Sequence, residues 1–209
     1  NTFIPSSSLG GASIKPESYD SGFYFCKGMI IMDFNEVIKS RRSIRKYSTE
    51  KSVTAEQIED LIKSAIYAPS WKNSQTARYY CAVEQDAIEK VRKCLPEFNQ
   101  KNSENSALIV TTFVHNRSGF KPDGEAQNEC GNGWGYYDLG LANENLLLKA
   151  TEMGLGTLVM GIRDGEMLKS ALNIPNEESV VAVIAVGYPN IEPEMPKRKE
   201  PSDIIKWIK

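Results

Sequence analysis

The chain has 209 residues, a length that favours one domain whose core needs no disulfide or metal staple. Apolar residues are 41% and charged residues 25% of it, which excludes a disordered chain, a collagen and a disulfide miniprotein. The formal charge of −2, from 25 basic and 27 acidic residues, supplies no global basic field for nucleic acid, and no apolar run approaches the roughly 18 residues of a membrane span.

Residues 1–31 read as a tail, an extension or a remnant of expression. They are rich in Ser and Gly at the start, and Lys27 and Gly28 break the one apolar stretch. Neither a basic leader nor a small-residue cleavage site marks them as a secretory signal. A domain spanning 32–209 follows. Asp33 with Glu36 three positions on opens a short helix to about Ser40. Thr54 and Gln57 form a cleaner capping box, and Ile58, Leu61, Ile62, Ala65 and Ile66 behind it make one apolar helix face that Pro69 stops. Ala77–Val83 reads as a strand and Asp86 opens a helix that ends before Pro96.

Ala107–Val114 is a buried strand by its length and β-branched content, and 115–132 is a polar, Gly-rich loop. The helix predicted over 133–153 is apolar nearly all round, which points to a core or an oligomer interface. Gly154-Leu-Gly156 ends it. Thr157–Met160 and Val180–Val186 are short buried strands with a helix from Asp164 to Leu172 between them. From Gly187 the chain is Pro-rich and polar, an extended arm that wraps something. Helices interleaved with buried strands make an α+β or α/β layered domain.

The chemistry is signalled partly by what is missing. No phosphate-binding G-x-x-x-x-G-K-[ST] loop and no strand-linked G-x-G-x-x-G occur, so a Rossmann dinucleotide site is not expected. Cys26, Cys81, Cys94 and Cys130 show no C-x-x-C spacing, and His115 is the one histidine. Zinc and a Ser-His-Asp centre are therefore not expected. The thiols read as the reduced cysteines of a cytoplasmic protein. Three polar signals remain. Arg41-Arg42-Ser43-Ile44-Arg45-Lys46 follows the first helix. It either caps that helix with cations or clamps a phosphate with arginine forks. Ala68-Pro-Ser-Trp-Lys-Asn-Ser-Gln75 is a turn, or a loop that reads the edge of a heterocycle. Lys197-Arg198-Lys199 is a solvated charge run or a third contact for the same anion.

With these residues in this order the chain resembles the nitroreductase family of FMN-dependent oxidoreductases. The resemblance is carried by RRSIRKY (41–47), APSWKNSQ (68–75), ATEMGLGT (150–157), VMGIRD (159–164), VAVIAVGYP (181–189) and KRKEP (197–201), and it covers about 32–209. It implies an α+β fold with a central mixed sheet flanked by helices. It also implies an intertwined homodimer with FMN at the subunit interface and the C-terminal arm around the partner. By the same resemblance Arg41, Arg42, Ser43 and Arg45 contact FMN, with Arg45 near the pyrimidine edge. Pro69, Ser70, Asn73 and Gln75 come from the other subunit. Met160 and Gly161 line the ring near N5, and Lys197 and Arg198 close on the phosphate. The stretch from Asn99 to Ser106 is a further candidate for a flavin contact. The family often reads Arg-Lys-Pro where this chain has Arg198-Lys199-Glu200.

The implied activity is ping-pong hydride transfer from NADH or NADPH through flavin N5 to a nitroaromatic, quinone or similar small acceptor. The chemistry rests on the cofactor, with Arg45 stabilising reduced FMN. A second reading of the same clamp is a non-catalytic FMN carrier or sensor. Neither nucleic acid nor membrane is an expected partner.

Overall fold

The computed structural model describes residues 23–26 and 29–208. In chain order the elements are β1 (Phe23–Cys26), β2 (Met29–Met32), α1 (Phe34–Ser40), α2 (Ala55–Ala65), β3 (Ala77–Ala82), α3 (Gln85–Arg92), α4 (Glu97–Asn102), β4 (Ala107–Val114), α5 (Gly133–Glu152), β5 (Gly156–Met160), α6 (Gly165–Leu172), β6 (Glu178–Gly187) and α7 (Pro201–Ile204). Of the predicted tail, residues 1–22, 27 and 28 lie outside the described residues. Its remaining stretch is not featureless, since β1 pairs antiparallel with β2 as a ladder separate from the main sheet.

The main sheet has the order β3-β4-β6-β5, and each neighbouring pair is antiparallel. This corrects the expected mixed sheet. The parallel element among the described residues is an isolated bridge, Ser43 to Thr157. Antiparallel order follows from the connections: β3 returns through α3 and α4, and β5 through α6, each bringing the chain back in the opposite sense.

Strand alternation divides the core in two. Leu108, Val110, Val183 and Ala185 join Val91, Leu95 and Leu168 of α3, its following turn and α6. Ala107, Ile109, Ile184 and Val186 face Ile58 and Leu61 of α2 and Leu146 and Ala150 of α5. Both faces of β4 and β6 are thus covered, which is why these strands read as continuous apolar runs. The all-round apolar look of α5 resolves into one buried stripe, with Leu139, Ala142, Leu146 and Ala150 inward and Tyr136 and Tyr137 outward.

The capping box of α2 is formed in full: the Gln57 N–H donates to Thr54 Oγ1 at 3.3 Å, and the Thr54 N–H donates to Gln57 Oε1 at 3.1 Å. Thr54→Ala is expected to cost about 1 kcal/mol. In urea denaturation this is a lower midpoint at unchanged slope. An unmoved midpoint would mean that α2 is held by its packing alone.

Candidate functional site

The basic segment after α1 is anchored by two of its own side chains. Ile44 and Tyr47 are buried, while Ser43 and Arg45 stay exposed. The anchor depends on a glycine pair: Gly156 of β5 lies opposite Gly187 of β6. A Cβ on Gly156 would stand 2.6 Å from Ile44, and one on Gly187 would stand 2.6 Å from Tyr47. The two glycines open a slot that no larger residue leaves. The Ile44 N–H donates to Thr157 O at 2.9 Å, the Ser48 N–H to Tyr188 O at 2.8 Å, and the Tyr47 hydroxyl to Ile44 O at 2.8 Å. Burial pushes the Tyr47 hydroxyl well above the usual tyrosine range, with Arg45 pulling weakly the other way, so it stays a donor at neutral pH.

The arginines of this segment divide. Arg42 turns back, its Nη1 donating to Lys39 O at 2.5 Å and Arg41 O at 2.8 Å, where it meets the carbonyl end of α1. Arg45 Nη1 makes a longer bond to Ser43 O at 3.3 Å, and Arg45 lines a cleft of about 350 Å³. Met160 and Gly161 line the same cleft from the end of β5, together with Phe98, Asn99 and Asn102 of α4. Asn99 is buried and donates through Nδ2 to Ile162 O at 2.9 Å, which ties α4 to the segment after β5. Among the described residues no carboxylate forms an ion pair with Arg41, Arg42 or Arg45. The charge of the cluster is therefore not offset by a paired carboxylate.

The polar loop after α2 lies elsewhere. Trp71–Asn73 form one turn of 3-10 helix, and Lys72, Asn73 and Gln75 adopt positive φ. Pro69, Ser70 and Gln75 line a second, more apolar cavity of about 590 Å³ with Ile62, Tyr79 and Asp138. Asn73 is exposed outside it. Cys81 lines this cavity too, and desolvation pushes its thiol up to about 11, so it is a thiol, not a thiolate nucleophile, at neutral pH. Lys197 and Arg198 are exposed on the C-terminal arm and line neither cavity.

Within one chain the structure thus joins Arg45 to Met160 and Gly161, and Pro69 to Ser70 and Gln75, but does not join the two groups. Sequence reading missed Phe98 and Asp138. The first sits on a short polar helix without an apolar stripe, and the second is one polar residue inside a long apolar helix.

Comparison with known proteins places the chain in a family. The chain is 31% identical over 161 residues to an Archaeoglobus fulgidus protein named "Putative NADH dehydrogenase/NAD(P)H nitroreductase", covering 75% of this chain and 86% of that one. It is 30% identical to an NADPH-flavin oxidoreductase of Vibrio harveyi over 81% of this chain and 71% of the relative. A solved chain from Exiguobacterium sibiricum, crystallised in complex with FMN, shares the fold with a TM-score of 0.70 at 23% identity, covering 85% of this chain and 98% of that one. The sequence model of the nitroreductase family matches residues 38–188, which span the basic segment, the polar loop and all four strands of the main sheet, and the chain belongs to that family.

Proposed function

We propose that this protein is an FMN-dependent NAD(P)H oxidoreductase that works as a homodimer. The observation that carries the reading is the cleft in which Arg45 faces Met160 and Gly161. The donor set fits FMN. A phosphate and the electron-rich edge of a pyrimidine both call for cations, and the 41–45 cluster holds arginines free of carboxylates. The buried Arg42 Nε has no partner among the described residues. A Cβ at Gly161 would meet nothing within 4 Å, so a flat ring can approach the backbone there. Trp71 Nε1, Ser74 Oγ and Thr76 Oγ1 are buried and unpartnered in and beside the polar loop.

When bound, FMN would supply two-electron redox chemistry between NADH or NADPH and a small acceptor such as a quinone or nitroaromatic. The chain's own residues bind and bias. Arg41, Arg42 and Ser43, with Lys197 and Arg198 of the arm, would hold the phosphate. Arg45 places a fixed positive charge where negative charge grows on reduction, and a preorganised charge costs no reorganisation at that moment. Met160 and Gly161 would present main chain to the ring.

Two features support the homodimer. Pro69, Ser70 and Gln75 line a cavity apart from Arg45, as expected if each site takes one group from each subunit. Tyr136 and Tyr137 leave an aromatic face of α5 exposed at 51% and 60%, and the arm lies exposed from Glu194 to Ile208.

The test is oxidation of NADH or NADPH by the full chain loaded with FMN, with a quinone as acceptor. FMN-dependent turnover is expected, whereas tight FMN with no oxidation of either nucleotide would give the carrier instead. Light scattering is expected to give a mass near twice 23.3 kDa, and a mass of one chain would overturn the shared site.

A further inference from the structure

Asp138 is buried in the second turn of α5, and among the described residues no lysine or arginine pairs with it. A buried carboxylate is costly unless hydrogen bonds satisfy it. Its Oδ2 accepts two: the backbone N–H of Trp71 donates at 2.9 Å, and the Ser118 hydroxyl donates as well. Trp134, four residues before Asp138 and so on the same helical face, meets the Trp71 ring with centroids 4.5 Å apart. One face of α5 therefore grips Trp71 twice, by its main chain and by its ring.

Trp71 stands where the loop turns left-handed. Lys72, Asn73 and Gln75 have φ of 47°, 57° and 47°, and none is glycine, so the turn is strained, most at Lys72 and Gln75. Inside the loop, the Asn73 N–H donates to Ser70 O at 3.0 Å and the Gln75 N–H to Ser70 Oγ at 3.1 Å. Such local bonds shape a turn but do not place it on the protein. Asp138, Trp134 and Gln127 hold it from outside, the last accepting from Lys72 Nζ at 2.7 Å. Ser118 and Gln127 both belong to the segment 115–132. Asp138 binds both the loop and that segment through one carboxylate oxygen, and Trp134 reinforces the same link, packing on Trp71 and donating from Nε1 to Asn128 Oδ1 at 2.9 Å.

We infer that Asp138 is a positioning residue for the cofactor. From α5 it fixes the Pro69–Gln75 loop in the left-handed shape that turns Ser70 and Gln75 to their cavity, and through Ser118 it couples that shape to segment 115–132. The inference rests on the FMN reading of the loop. It adds a residue that lines the loop's cavity and acts on the loop through the Trp71 N–H.

Asp138→Ala, Asp138→Asn and Ser118→Ala in the full chain test it by two readouts. The first is the near-ultraviolet circular dichroism of the apoprotein, which reports the Trp71–Trp134 pair without any cofactor. The second is the FMN dissociation constant from quenching of flavin fluorescence. Asp138→Ala is expected to lose the tryptophan signal and to bind FMN about 10- to 100-fold more weakly, the range of a lost hydrogen bond to a charged group. Asp138→Asn keeps a carbonyl for the Trp71 N–H and is expected to recover most of both, a rescue that would not follow from a general loss of stability. Where the alanine variant does not fold, Ser118→Ala carries the same prediction at smaller size. Wild-type signal and wild-type FMN affinity in the folded variant overturn the inference. A wild-type protein that takes no FMN refutes the cofactor reading itself, and the apoprotein spectra then decide separately whether Asp138 sets the loop.

Discussion

Replacing Arg45 by alanine is expected to slow anaerobic reduction of the FMN-loaded protein by NADH or NADPH about 100-fold, the scale of removing one preorganised charge from a site where charge develops. FMN binding is expected to weaken by only about tenfold, or about 1.4 kcal/mol. The asymmetry follows from the division of the basic segment. Arg42 is turned onto the carbonyls that end α1, while Arg45 lines the cleft with Met160 and Gly161. On the proposed reading Arg41 and Ser43, with Lys197 and Arg198 of the arm, would still hold the phosphate in the alanine variant, so affinity is expected to fall less than rate. Arg45→Lys keeps the charge and loses the planar fork, and should fall between the two. Stopped-flow reduction at saturating FMN separates the effects. Equal reduction rates in Arg45→Ala and wild type would remove Arg45 from the electron-accepting edge.

The second large effect is on stability, and local propensity predicts its sign wrongly. Gly135 lies inside α5, where alanine normally gains about 1 kcal/mol over glycine. A Cβ there would stand 2.2 Å and 2.3 Å from ring atoms of Phe113, and Phe113 is fully buried in β4. It cannot swing aside without moving Tyr136, whose ring centroid is 4.7 Å away. Gly135→Ala is therefore expected to destabilise by about 1–3 kcal/mol, the range of overpacked cores. Gly140 sits in the same helix with nothing within 4 Å of a Cβ, so Gly140→Ala serves as the reference. In urea denaturation Gly135→Ala should be the less stable of the two by about 2 kcal/mol or more. Equal midpoints would show that Phe113 repacks and that the close approach is not a constraint on α5.

What the sequence makes legible here is what is local. The box at Thr54 and Gln57, the spacing of Ile58, Leu61 and Ala65, and the β-branched run of β4 each lie within a dozen residues, and the elements appear where those patterns put them. The helix α4 was hidden because Glu97-Phe-Asn-Gln-Lys-Asn102 has one apolar residue and follows a proline that reads as a stop. Strand direction was hidden because β4 and β6 are buried on both faces, and a continuous apolar run carries no sign of its partner's sense.

The site was legible in its residue types more than in its geometry. Arginines and a polar loop announce themselves, but the slot that seats Ile44 and Tyr47 is a pair of glycines 31 positions apart. The grip on Trp71 joins residues 67 positions apart. Such contacts depend on the register of β5 with β6 and on the rotation of α5, and no short window of sequence contains either.

The most direct test of the central claim is the absorbance spectrum of the purified full chain with FMN, recorded anaerobically before and after NADH and then NADPH. Flavin bands that shift on binding and bleach with at least one nucleotide are the predicted result. Free flavin after gel filtration, or bound flavin that neither nucleotide bleaches, would contradict it.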